Sequence, residues 1–138
     1  MDGTALVERA VDRAQELPGA QLTHPFGEGW EVYKVSGRVF LLTTALRGVP
    51  LVNLKARPAD GVALRRAFAS IAPGYHMDKR HWITLRGGED LDGELVDDLV
   101  TESYLLVLEK LPRRARPVDP EEFARVVAAR LARGPSRS

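Results

Sequence analysis

Two dipeptides, Ser36-Gly37 and Arg47-Gly48, constrain this chain more than any other feature. They separate three extended runs: Glu31 to Val35, Arg38 to Thr44, and about Val49 to Ala56. Ser36-Gly37 is a two-residue hairpin signal, and so short a turn can join only antiparallel neighbours. Arg47-Gly48 turns the chain into the third strand. A fourth run, His81 to Arg86, alternates apolar and polar residues and is closed by Gly87-Gly88.

Helical patterns surround these strands. Leu6, Ala10, Ala14 and Leu17 share one face of a helix expected from Thr4 to Leu17, which Pro18-Gly19 stops. Pro58 opens a second helix expected over 58–70, with Val62, Leu64, Ala67 and Phe68 as its apolar set, and Ala72-Pro73-Gly74 then reads as a loop. Asp92 is the expected N-cap of a long helix to about Lys110, whose early Glu94, Asp97 and Asp98 suit the positive end of the helix dipole. Leu95, Leu99, Ser103, Val107 and Leu111 form one stripe on it, beside Val96, Val100, Tyr104 and Leu108. So wide an apolar arc marks the main core helix. Asp119-Pro120-Glu121-Glu122 starts a last helix, 119–133, with a narrow stripe of Phe123, Val126, Val127 and Leu131.

At 138 residues the chain has room for one ordinary core. The expected organisation is a domain over 1–112, a basic linker over 113–118, the amphipathic helix over 119–133 and a disordered tail over 134–138. No cysteine is present, which excludes disulfides, thiolate metal sites and a cysteine nucleophile, and fits a cytoplasmic protein. No apolar run reaches membrane-spanning length, and the acidic, amphipathic first twenty residues do not read as a signal peptide.

Charge is unevenly distributed. Residues 1–30 carry −3, 31–86 carry +7, 87–109 carry −8 and 110–138 carry +5. The +7 segment can form a basic patch, or can be neutralised across the fold by the −8 segment.

Most catalytic chemistry lacks its motif. There is no GxSxG, and Ser36, Ser70 and Ser103 have no evident His/Asp partnership; Ser103, in mid-helix, is expected to bond back to the preceding turn. Neither a Walker A motif nor GxGxxG occurs, Gly27-Glu28-Gly29 being only two glycines before a strand. His76, Asp78 and His81 have no diagnostic metal spacing, and the carboxylates of 89–98 already have a role at a helix start. No catalytic residue, metal or cofactor is therefore assigned.

The most unusual stretch is Gly74-Tyr75-His76-Met77-Asp78-Lys79-Arg80-His81-Trp82, with rings able to stack on bases and cations able to contact phosphate. Strand alternation adds that Lys34, Asn53, Lys55, Trp82 and Arg86 lie on one sheet surface if the faces of their strands coincide.

In this stretch the chain resembles the MmcQ/YjbR-like family of small bacterial proteins, commonly labelled DNA-binding. The matching pieces are His24-Pro25-Phe26-Gly27, Val32-Tyr33-Lys34-Val35 with Gly37-Arg38 and Phe40, Asn53-Leu54-Lys55 with Pro58, Pro73 to Met77 with Lys79, His81 and Trp82, Ser103-Tyr104 with Leu106-Val107, and Leu111-Pro112. They run in order over residues 22–112. The resemblance implies an α+β fold, an antiparallel sheet with packed helices, described as CyaY-like and likened to the double-wing domain of the phage factor MotA; the terminal helix lies beyond it.

The expected function is non-catalytic DNA binding, through Lys34, Lys55, His76, Lys79, Arg80, His81 and Trp82. Arg80 comes from this sequence alone and the others are transferred from the motif positions. Reversing Lys79 and Arg80 to glutamate is expected to abolish binding with little effect on melting. The alternative is a small-molecule or protein-binding module with a cleft of His24, Phe26, Tyr75, His76 and Trp82, since rings with a few polar groups suit an apolar ligand.

Overall fold

In the computed structural model, which describes residues 1–132, the two expected hairpin turns and the three strands they join build the centre of a six-stranded antiparallel sheet. The elements in chain order are α1 (Gly3–Glu16), β1 (Ala20–Thr23), β2 (Glu31–Val35), β3 (Arg38–Leu46), β4 (Val49–Lys55), α2 (Pro58–Ala67), β5 (Ile71–Pro73), β6 (Trp82–Arg86), α3 (Gly93–Lys110), a 3₁₀ turn (Arg113–Ala115) and α4 (Pro120–Ala132). The sheet order is β1-β2-β3-β4-β6-β5. In both hairpin turns the two central residues have positive φ, 47° and 81° at Ser36-Gly37 and 51° and 81° at Arg47-Gly48. That is the pair of left-handed conformations a type I′ turn requires, and its twist matches that of the flanking strands.

Two strands depart from the sequence expectation. β1 is four residues of mostly exposed edge with no alternation of burial. β5 replaces the loop expected at 72–74 and is three residues long, ending in a proline that an edge strand tolerates because one side of it needs no ladder donor. The second helix also ends at Ala67, earlier than expected, and Val62 of its expected apolar set is 38% exposed. Its buried residue is Gly61, where a Cβ would stand 3.6 Å from Ile83 Cγ2. The expected last helical residue, Arg133, and the tail at 134–138 lie outside the described residues.

The helices α1 and α3 cover one face of the sheet. Leu6, Ala10, Ala14 and Leu17 are buried there, with Val96, Val100, Tyr104, Val107 and Leu108 of α3, against Tyr33, Phe40, Leu41, Val52, Leu54, Ile83 and Leu85. Asp92 caps α3 as expected, its carboxylate accepting from the Leu95 amide at 2.8 Å. Burying each large apolar side chain contributes roughly 1.5–3 kcal/mol, which makes this layer the dominant stabilising element. On α4, Phe123 packs edge-on to Tyr104, with ring centroids 5.9 Å apart. The basic stretch before it is turned into a 3₁₀ helix, and Arg116 donates to the carbonyls of Leu111 and Glu109.

Candidate functional site

Among the described residues, no helix packs on the second face of the sheet. Cross-strand partners share a face, so the pairs Lys55↔Trp82, Asn53↔Thr84 and Leu51↔Arg86 place these six residues together. Leu42↔Asn53 and Val32↔Leu42 extend the face to β2, where alternation adds Lys34. The faces of the separate strands therefore do coincide. Lys34 and Lys55 lie on strands two positions apart, a spacing of about 10 Å.

Two loops, one from each side of the sheet, fold onto this face. Trp30, closing the 24–30 loop, and Met77, in the 74–81 loop, pack with Val39 against a cluster of Val32, Leu42 and Trp82. Trp82 is consequently only 9% exposed. It serves as a floor for the loops, with the Lys55 ammonium 5.9 Å from its ring centroid, and is not free to stack on a base. That corrects the sequence assignment: an indole in an alternating strand goes where its large apolar area can be covered.

A closed polar triangle fastens the 74–81 loop to the sheet. The Tyr75 amide donates to Thr84 Oγ1 at 2.7 Å, the Thr84 hydroxyl donates to Asn53 Oδ1 at 2.5 Å, and Asn53 Nδ2 donates to the Tyr75 carbonyl at 3.2 Å. Asn53 is 1% exposed, so every member of the triangle needs its partners. Gly74 is held against Trp82, and a Cβ there would sit 2.7 Å from Trp82 Cβ. Within the loop, the Asp78 carboxylate accepts from His81 Nδ1 at 2.8 Å and from the Arg80 amide at 2.9 Å. The His81 bond, then the Arg80 amide, hold the Asp78 carboxyl below its ordinary pKa.

Lys55 has a further support. A register shift between Tyr33 and Lys34 leaves Phe40 out of the β2–β3 pairing, and the β3–β4 ladder ends at Leu41↔Leu54. Ser103 of α3 bridges the gap: its hydroxyl donates to the Phe40 carbonyl at 2.5 Å and accepts from the Lys55 amide at 2.8 Å. Its expected bond to its own helix is not the one it makes, because two sheet groups would otherwise be orphaned in the core. Neither this bridge nor the triangle is visible in residue spacing, because each depends on bonds between residues 22 to 63 positions apart.

Of the other expected contacts, His76, Lys79, Arg80 and His81 are exposed in the 74–81 loop. His76 has φ 57° and its ring lies 4.1 Å from that of Tyr75. The Lys79 ammonium donates to the Gly74 carbonyl at 3.0 Å, so reversing its charge would also disturb the loop. His24 lines a hollow of about 540 Å³ with Trp30, Glu8, Glu28 and Glu31, but Phe26, Tyr75, His76 and Trp82 do not line it.

Electrostatically the two faces differ. The five acids of α3 lie on the helix covering the far face, and a sheet plus a helix separates charges by more than a Debye length of about 8–10 Å. Among the described residues, Arg57 is the one cation of the +7 segment that pairs with the −8 segment, reaching Glu102 at 3.8 Å and Glu109 at 3.1 Å. Lys34, Lys55, Lys79, Arg80 and Arg86 form no salt bridge among the described residues. No group of three or more His, Cys, Asp or Glu side chains is arranged to hold a metal among them, and no helix among them is long and apolar enough to cross a membrane.

Comparison with known proteins matches residues 15–106, two thirds of the chain, to the family model YjbR. The chain is 42% identical over 114 residues to the Escherichia coli O157:H7 uncharacterized protein YbdF, covering 83% of this chain and 93% of that protein. It is 32% identical over 104 residues to the uncharacterized protein YjbR of Escherichia coli K12, covering 72% and 84%. The crystal structure of Deinococcus radiodurans DR2400, a DUF419 domain, superposes with a TM-score of 0.71 at 34% identity, covering 79% of this chain and 83% of that one. A Pseudomonas syringae protein shares the fold at 22% identity, with a TM-score of 0.62 over 77% of this chain and 98% of its own.

Proposed function

The chain belongs to the YjbR family, and from that premise we propose that it is a non-catalytic DNA-binding protein that contacts phosphates through the second face of its sheet. The observation that carries this reading is the separation of charge. Five cations without acidic partners lie on that face or on the loop beside it, while the α3 acids lie behind the sheet. Lys34, Lys55, Lys79, Arg80 and Arg86 supply the phosphate contacts, Lys79 while also holding its loop. His76 and His81 border the patch and Trp82 supports it from below.

The test is fluorescence anisotropy with a labelled mixed-sequence DNA, as single strand and as duplex, at 50 and 200 mM salt. Five phosphate contacts give a slope of about −4.5 on duplex, which is roughly a 500-fold loss of affinity across that range. Replacing Lys34 and Lys55 by alanine removes about two contacts and cuts the loss to roughly 40-fold. If the intact protein shows no salt-dependent binding to either form, the reading fails. The ligand-binding alternative keeps one supporting observation, the hollow beside His24 and Trp30; it requires tryptophan quenching by a small molecule with little salt dependence.

A further inference from the structure

Phe26 is the most exposed large apolar side chain among the described residues, at 63%. It stands in the 24–30 loop, and its one ring neighbour is Trp30, edge-on at 6.1 Å and 76°. Trp30 packs on the Val32–Leu42–Trp82 cluster, on the sheet face of Lys34 and Lys55, and Phe26 stands beside it at the edge of that face. An edge-on contact covers the rim of a ring and leaves a face able to receive another flat group. From the other side of the sheet the 74–81 loop brings the exposed His76 ring, backed by Tyr75. The cations of the sheet thus lie between two ring-bearing loops.

We infer that this face takes DNA as a single strand, with Phe26 stacking on an unpaired base and the sheet cations following the backbone. The inference rests on the DNA-binding reading above and adds strand form and a base-contacting residue to it. Cations tracking a backbone combined with exposed rings are the chemistry of single-strand binding, because every unpaired base offers a π-face and a paired, stacked base does not. A ring can also act as a wedge between the steps of a duplex, but wedging pays for unstacking and needs a stiff mount. Phe26 is followed by Gly27 and Gly29, both at positive φ with nothing within 4 Å of where a Cβ would stand, so the ring is mounted in open space and not against a packed support. An exposed ring without a packed support suits a base that comes to it.

The experiment titrates the full chain and Phe26→Ala with three probes: a mixed-sequence single strand, its duplex, and a strand of equal length with abasic sites. The intact protein is expected to prefer the single strand over both other probes by at least tenfold. Phe26→Ala is expected to lose about 5- to 160-fold on the single strand, as for other stacked bases, with duplex and abasic affinities changed less than twofold. Phe26→Tyr keeps the ring and is expected to restore single-strand affinity. An unchanged melting temperature for each variant confirms folding, as the exposure of Phe26 predicts. Equal or tighter binding of the duplex overturns the inference, as does a Phe26→Ala loss that is the same on all three probes. Either result leaves DNA binding standing, whereas absence of salt-dependent binding by the intact chain to all probes removes both readings.

Discussion

Asn53→Asp keeps the size and shape of a side chain that is 1% exposed and replaces one amide donor by an ionisable oxygen. In the native triangle, Nδ2 donates to the Tyr75 carbonyl while Oδ1 accepts from Thr84. A protonated carboxyl repeats both bonds, since its O–H can donate to Tyr75 and its second oxygen can accept. An ionised carboxylate cannot: one oxygen would face the Tyr75 carbonyl in a buried setting. Burial raises the folded pKa of the introduced group, and the surviving Thr84 bond offsets part of the rise, leaving about two to three units above the ordinary 3.9. At about 1.36 kcal/mol per unit this destabilises the fold by about 3–4 kcal/mol at pH 7. Because the folded pKa lies above the unfolded one, the cost is small near pH 4, about 0.5 kcal/mol, and grows until pH passes the folded value. The check is guanidinium unfolding of both proteins at each pH, with the difference taken at matched pH so that other groups cancel. At this length about 3 kcal/mol corresponds to a fall in Tm of about 10–15 °C at pH 7. A destabilisation equal at pH 4 and pH 7, or below about 0.5 kcal/mol at pH 7, would refute the triangle as the loop's anchor.

Other perturbations test the neighbouring supports. Ser103→Ala orphans the Phe40 carbonyl and the Lys55 amide and should cost about 2–4 kcal/mol by denaturant unfolding; a loss below 1 kcal/mol would mean the bridge is dispensable. Gly74→Ala drives a methyl to 2.7 Å from Trp82 Cβ and should cost about 1–3 kcal/mol, accompanied by a shift in tryptophan emission; an unchanged spectrum and midpoint would contradict the packing. The Tyr104 phenol, buried and donating to the Pro18 carbonyl at 2.6 Å, has its pKa pushed up to about 12 by burial. Raising pH from 10 to 12 should therefore erode stability, and absorbance titration should show a tyrosine ionising late; ionisation of all three tyrosines together near pH 10 would exclude it. Phe123→Ala removes the aromatic contact of α4 with Tyr104 and should lower stability by about 1–2 kcal/mol, measured by thermal melting.

The local frame of this protein follows from short-range sequence chemistry. Ser36-Gly37 and Arg47-Gly48 specify turns because few residue pairs tolerate two successive left-handed conformations, and those turns impose an antiparallel meander on residues 31–55. Period-two alternation then grouped Asn53 with Lys55 and Trp82 with Arg86, each pair within its own strand, while the register between strands decided that these faces and that of Lys34 coincide. Helical spacing did the same for Leu6, Ala10 and Ala14. The short edge strands β1 and β5 escaped because they are too brief to alternate and are defined by the neighbours that bond them. What covers a face also needs the tertiary structure. Trp82 stands on the expected surface yet is buried, because loops from both sides of the sheet close over it, while Phe26, in an unremarkable turn, is left exposed. Tertiary structure likewise decided that the α3 acids lie behind the sheet. Burial, partnership and the separation of charges depend on groups distant in sequence meeting in space, and periodicity in one segment carries no record of what comes to lie against it.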